Sequence, residues 1–92
     1  MHYLVGYDIA NPQRLRRVAR TLEGYGYRVQ YSIFLCDLTR ATYEDLVEDL
    51  SAHMNLAEDR VFLLPVCQAC QQRMVELGTS SVPDLNETCI IV

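Results

Sequence analysis

Two hydrophobic periods alternate along this chain, and the order in which they alternate restricts it to one broad layout. Tyr3 to Asp8, reading Tyr-Leu-Val-Gly-Tyr-Asp, is a β-branched and aromatic run that ends in the turn signal Ile9-Ala10-Asn11-Pro12. It reads as a buried strand that carries one carboxylate, Asp8, to the end of a sheet. Asn11 then supplies an N-cap and Pro12 the first helical position, where its missing N–H costs nothing. From about Gln13 to Glu23 the residues Leu15, Val18, Ala19 and Leu22 recur at helical spacing as one apolar stripe, with Arg16, Arg17 and Arg20 on the opposite side and Arg14 at the stripe's edge. Gly24-Tyr25-Gly26 closes this helix and offers a glycine for the left-handed position past its last turn.

Tyr27 to Leu38 alternates Val29, Tyr31, Ile33 and Leu35 with Arg28, Gln30 and Ser32, the pattern of a half-buried strand. The block is long for one strand, so a reversal near Tyr31 and Ser32 is expected to divide it in two. Thr39 or Thr42 caps a second helix, the latter with Asp45 three residues on. Tyr43, Leu46, Val47, Leu50 and Met54 form its apolar stripe, while Glu44, Asp45, Glu48 and Asp49 cover its outer side. Arg60 to Val66 reads as a strand apolar on both faces, with Pro65 confining it to a sheet edge or strand exit. Cys67 to Leu77 reads as a short helix closed by Gly78, with Val75 and Leu77 facing inward, and Thr79 to Asn86 as a turn-rich connection. The β-rich end, Glu87 to Val92, must pair with this sheet or with another subunit's, since a bare apolar edge is an aggregation template. This order predicts a ferredoxin-like βαββαβ domain of the α+β class with an extra C-terminal strand, its antiparallel sheet covered by helices on one face. The other face has no helix left to cover it, so a second copy of the chain is expected there, in a sheet-to-sheet homodimer.

At 92 residues the chain is a single domain, 1–92, and a chain of this size hides only roughly 60% of its unfolded surface, which favours association. No apolar run approaches the roughly 20 residues of a membrane helix, and no basic flank precedes an apolar core at the N-terminus. A cytoplasmic, membrane-free protein is expected. Cys36, Cys67, Cys70 and Cys89 are then better read as small hydrophobes than as a disulfide framework. Cys67 and Cys70 have C-x-x-C spacing but lack the two further ligands zinc needs, so structural filler is expected, with a redox pair or a shared intersubunit metal as the alternatives. His2 and His53 occupy no position suited to a proton shuttle.

The net charge of −4 argues against a nucleic-acid partner until its distribution is considered. Residues 1–40 hold six arginines against three acids, whereas residues 41–92 hold two against nine. Lysine is absent, so every cationic side chain is a guanidinium, the group suited to bidentate phosphate contacts. An arginine run on a helix is commonly a solvated face, and an aspartate at a strand end is commonly a turn residue. Yet Arg16 and Arg20 stand four apart, a like-charge spacing that costs a few tenths of a kcal/mol unless something anionic lies between them. The acidic second helix repels phosphate, so a polyanion must approach the arginine-bearing side.

Three blocks then carry a resemblance: Leu4-Val5-Gly6-Tyr7-Asp8-Ile9, Arg14-Leu15-Arg16-Arg17-Val18-Ala19-Arg20-Thr21-Leu22-Glu23-Gly24-Tyr25-Gly26, and Arg28-Val29-Gln30-Tyr31-Ser32-Ile33-Phe34. In order and spacing they resemble the CRISPR-associated "Cas two" family, small ferredoxin-like proteins of the adaptation machinery described as endoribonucleases. The resemblance implies a homodimer in which each C-terminal strand docks on the partner. It also implies that Asp8 pairs with its symmetry mate to hold a divalent metal, magnesium or manganese. Arg17, Arg28 and Phe34 resemble positions linked to activity or substrate contact in some members, and Tyr7 supports Asp8 from the same strand. Arg14, Arg16 and Arg20 extend the nucleic-acid-binding set by the helical wheel.

Coordination chemistry agrees, because magnesium takes six oxygens and two carboxylates across a two-fold axis make a better site than one. Such an ion would activate water and neutralise phosphate charge. The expected role is a dimeric nucleic-acid scaffold for the CRISPR integrase during spacer acquisition, with metal-dependent cleavage of single-stranded RNA or duplex DNA through Asp8 as an attribute. The competing expectation is a ferredoxin-like toxin-type ribonuclease or ligand-binding domain outside CRISPR. No base-reading element is visible, so RNA and DNA are not distinguished.

Overall fold

Strand β1 (His2–Asp8) lies inside the sheet because it can pair on both sides, and the rest of the domain is hung on it. The structure is a computed structural model that describes residues 1–78. The expected turn-rich segment at 79–86, the final strand at 87–92 and Cys89 lie outside the described residues. After β1 come α1 (Pro12–Glu23), β2 (Gly26–Gln30), β3 (Ile33–Asp37), α2 (Arg40–His53), β4 (Arg60–Val66) and a short α3 (Gln68–Gln72). The strands form one sheet in the order β2-β3-β1-β4, with every neighbouring pair antiparallel.

Alternation along β1 sorts the two faces of the sheet. Val5, Tyr7 and the following Ile9 join Val18 and Leu22 of α1, Phe34 and Cys36 of β3, and Leu46 and Leu50 of α2 in the core. Val5, Val18, Leu22, Phe34, Cys36 and Leu46 are wholly buried, each large apolar side chain contributing about 1.5–3 kcal/mol by leaving water. The opposite face carries Leu4, Gly6 and Asp8 of β1 beside Leu64, Phe62 and Arg60 of β4, in direct register. Phe62 and Leu64 remain about half exposed, and the Phe62 ring lies so close over Gly6 that a Cβ there would fall 2.3 Å from it. Among the described residues β4 is an edge strand, in keeping with Pro65 near its end.

Helix α1 starts as expected, the Asn11 side chain accepting hydrogen bonds from the Gln13 and Arg14 amides at 2.8 and 3.0 Å. Its buried line is narrower than the four-residue stripe: Leu15 lies on the flank and stays 39% exposed. The helix does not end on a left-handed glycine. Gly24 has φ −79°, and the Gly24 and Tyr25 amides donate back to the carbonyls of Thr21 and Leu22, which tightens the last turn without reversing φ. Gly26 matters instead for close approach, since a Cβ there would sit 2.2 Å from the Leu35 carbonyl oxygen. Among the described residues the one positive φ is at Gly78, 91°.

The reversal falls at Tyr31–Ser32, but the alternation runs in a different phase from the one expected. Phe34 and Cys36 face the helices, with Arg28 opposite Phe34, while Tyr31 is largely exposed. A register shift between Arg28 and Gln30 places Gln30 opposite Ile33, on the other face from Arg28 and Phe34. Thr39, not Thr42, is the N-cap of α2, and the two side chains cap one another reciprocally. Met54 and Tyr43 pack against the core as expected, while Val47 is left partly exposed.

Helix α3 is shorter than expected, and Val75 and Leu77 are exposed rather than inward-facing. No side chain caps its start, and its end at Gln72 leaves residues 74–77 outside regular structure. It returns over the open face, where Cys70, Gln71 and Met74 line a cleft with Leu4, Leu35 and Val66. Beyond it, the Gln30 amide donates to the Glu76 carboxylate. Among the described residues, α3 covers that face at its Leu4–Leu35 end, Phe62 overlies Gly6, and Asp8 stays exposed. No helix among the described residues is long and apolar enough to cross a membrane.

Candidate metal and phosphate sites

Asp8 ends β1 on the open face, exposed, its side chain without a hydrogen bond or ion pair among the described residues. Its neighbour across the β1–β4 ladder is Arg60, equally exposed and likewise without a side-chain partner among the described residues. Arg60 was not singled out from the sequence; the signal was the pairing of two strands of equal length with one charge at each end. A carboxylate fits a hard divalent cation, but one carboxylate is a small part of an octahedral shell. No group of three or more His, Cys, Asp or Glu side chains among the described residues could hold a metal.

Tyr7 and Phe34 lie behind Asp8, on the helix side of the sheet. Their rings are 6.2 Å apart, and the Arg28 guanidinium lies 5.1 Å from the Phe34 centroid. The Tyr7 hydroxyl and Arg28 Nη1 both donate to the Tyr31 carbonyl, at 3.3 and 3.4 Å, and Arg28 faces Glu23 at 3.7 Å. Burial pushes the Tyr7 phenol above its ordinary pKa, with Arg28 opposing and Glu23 reinforcing the shift. This group fixes the β2–β3 turn against the end of β1. It holds Arg28 on β2, with β3 between it and the strand that carries Asp8, and with its guanidinium already engaged.

Arg14 is engaged as well. Its Nε donates to Asp59 Oδ2 at 2.8 Å, and its Nη2 to Asp59 Oδ1 at 3.2 Å and to Glu58 Oε1 at 2.9 Å. The buried Asp59 carboxylate also accepts the Ala10 and Asn55 amides. Arg14, opposed by desolvation and helped by the two amides, holds Asp59 far below the usual carboxylate range. The cluster ties the β1–α1 loop, the first turn of α1 and the entry to β4 together beneath Asp8 and Arg60.

Arg16, Arg17 and Arg20 differ from both. All three are exposed on α1, and none of their side chains has a partner among the described residues. Val18 and Leu22 face the sheet, so at 3.6 residues per turn these three point away from it. The structure therefore sorts the five arginines into two that brace the fold and three that are free. His2 lies 3.9 Å from Asp37 at the opposite end of β1 from Asp8, and His53 ends α2.

Comparison with known proteins agrees with this architecture. Residues 1–74 match the family described as CRISPR associated protein Cas2. A CRISPR-associated endoribonuclease Cas2 of Chloroflexus aurantiacus is 34% identical over all of both chains. One from Rhodospirillum rubrum is 34% identical over 98% of this chain and 73% of its own. Among solved structures, Streptococcus pyogenes Cas2 superposes with a TM-score of 0.79 at 34% identity, covering 85% of this chain and 100% of that one. A hypothetical protein from Thermus thermophilus gives 0.77 at 32% identity, over 90% and 96%. Sequence and fold agree over nearly the same span, and the chain belongs to the CRISPR associated protein Cas2 family.

Proposed function

We propose that two copies of this chain pack open face to open face as a ferredoxin-like homodimer that binds nucleic acid, hydrolyses phosphodiester bonds with a divalent ion between paired Asp8 carboxylates, and serves the CRISPR integrase as a scaffold in spacer acquisition. The observation that carries the reading is the position of Asp8, an exposed carboxylate without a partner among the described residues, on the sheet face that also carries half-exposed Phe62 and Leu64. The names of the relatives, endoribonucleases in Rhodospirillum rubrum and Chloroflexus aurantiacus and an endonuclease in Thermus thermophilus, support the hydrolytic part.

Magnesium or manganese bound at this position would supply charge neutralisation and a water of lowered pKa. Asp8 is the residue that would hold it. Arg60, directly opposite across the ladder, can grip a non-bridging phosphate oxygen through its fork of donors. The Tyr7–Arg28–Phe34 group keeps the end of β1 rigid, so that Asp8 is held by a strand and not by a mobile loop. Arg16, Arg17 and Arg20 bind backbone phosphates on the helix side, which explains a tolerated Arg16–Arg20 repulsion.

Asp8→Ala tests the reading, with Mg²⁺-dependent cleavage measured on single-stranded RNA and duplex DNA side by side. Cleavage should be lost on both while duplex binding persists. Cleavage that survives the substitution, or a purified protein that sediments strictly as a monomer, would overturn the paired-carboxylate mechanism.

A further inference from the structure

Cys67 and Cys70 take no part in the site above, and they are not the buried filler that their C-x-x-C spacing suggested. Cys36 fills that role: it is wholly buried, and burial pushes its thiol up to about 11. Cys67 and Cys70 are both exposed, and their Sγ atoms lie 3.4 Å apart. We propose that they form a reversible dithiol–disulfide site at the start of α3, on the open face of the sheet, which exchanges with small-molecule disulfides.

A protein disulfide has an S–S length of about 2.05 Å, so closure asks the sulfurs to approach by about 1.4 Å, within the reach of side-chain rotation. The two residues are three apart in one turn and need no other element to move. Metal binding fits less well, since the pair has no third Cys, His, Asp or Glu ligand among the described residues.

The roles of the two sulfurs differ. The Cys70 amide and the Cys70 thiol favour the thiolate of Cys67 and lower its pKa, whereas proximity to Cys67 raises that of Cys70. Cys67 is therefore the attacking sulfur. Its thiolate attacks glutathione disulfide, forming a Cys67–glutathione mixed disulfide and releasing one glutathione thiolate. Cys70 then loses its proton and attacks the Cys67 sulfur, breaking the mixed disulfide and expelling the second glutathione. One glutathione disulfide is reduced to two glutathiones and the dithiol is oxidised to one disulfide, so electrons balance without another reactant. Cys70 also lines the cleft with Leu4, Leu35 and Met74, so oxidation fixes the first turn of α3 against the open face.

The full chain, reduced and then exposed to graded glutathione disulfide, tests this when its disulfides are mapped by peptide mass spectrometry. A Cys67–Cys70 disulfide should form, reverse with excess glutathione, and persist in a Cys89→Ser background. Cys70→Ser should accumulate glutathione on Cys67, and Cys67→Ser should slow incorporation at Cys70 by about tenfold or more, as expected when the more ionised thiol is removed. Three results would overturn the proposal: both thiols staying alkylatable throughout, glutathione persisting on Cys67 in the unsubstituted chain, or stoichiometric zinc that protects the pair and disappears in Cys67→Ser.

Discussion

Replacing Arg16, Arg17 and Arg20 together by glutamine separates phosphate binding from folding, because the three side chains have no partner in the described fold to lose. Each phosphate neutralised on duplex DNA contributes about 0.9 to the slope of log affinity against log salt, and about 0.7 on a single strand. If one subunit engages one backbone, three contacts give a slope difference of about 2.7 on a duplex. Between 50 and 200 mM salt the unsubstituted protein should then lose about 40-fold more affinity than the variant. The difference should double if both subunits of a dimer contact the same duplex. Fluorescence anisotropy with a random-sequence duplex at four or five salt concentrations measures it. Thermal melting supplies the folding control: relief of the Arg16–Arg20 repulsion should leave the variant as stable or slightly more so. Arg40→Gln supplies a second control, since that guanidinium faces Glu44 on α2 at 3.7 Å and its loss should leave the slope almost unchanged. An unaltered slope in the triple variant would refute the assignment of α1 as the phosphate-binding face.

Asp59→Asn should lower the melting temperature at neutral pH and flatten the acid limb of the stability profile. Arg14 depresses the folded-state pKa of Asp59 below its ordinary 3.8, so its contribution is complete above that value and fades as pH falls below it; melts from neutral to acid pH that run parallel for the two proteins would refute this. Gly26→Ala should disrupt β2–β3 pairing and soluble expression, because the added carbon meets a backbone carbonyl that no rotamer change can move. Gly24→Ala should be tolerated or should stabilise by about 0.4–1 kcal/mol, as its nearest neighbour would be 3.4 Å away and its φ is ordinary. Leu22→Ala, at a wholly buried position, should cost about 2–5 kcal/mol in urea unfolding.

Local chemistry was legible in the sequence wherever it acts within a few residues. Asn11-Pro12 marks the start of α1, the reversal at Tyr31–Ser32 divides β2 from β3, and Arg60–Val66 has the bounds its apolar run suggests. What could not be read depends on how side chains meet once the elements pack. Arg14 looks like one more helix cation until Asp59, 45 residues on, is seen to hold it. Arg28 looks like a free strand arginine until Glu23, Phe34 and the Tyr31 carbonyl surround it. The register shift at Arg28–Gln30 has no marker of its own, so the phase of β2 and β3 emerged from the sheet alone. Cys67 and Cys70 carry a spacing common to metal, redox and structural roles, and exposure and a short sulfur–sulfur distance are what favour one of them.

One consequence of these placements bears on the relation between binding and cleavage. Asp8 and Arg60 lie on the open face of the sheet, whereas Arg16, Arg17 and Arg20 lie on the outer side of the helix layer, with the sheet and the buried core between them. A phosphate chain held along α1 therefore cannot present its scissile bond to Asp8 of the same subunit by a straight path. It must wrap over the edge of the domain, or the two sites must serve different strands. On the function proposed above, catalysis and phosphate binding would then draw on separate surfaces of one small protein, and substitutions on one should leave the other standing. The cation paired with Asp8 across the sheet is Arg60, not an α1 arginine. Arg60→Gln should therefore depress cleavage with little change in the salt dependence of duplex binding, the reverse of the triple α1 variant. If both variants instead lose binding and cleavage in proportion, the two faces act as one site and the division drawn from the sheet is wrong.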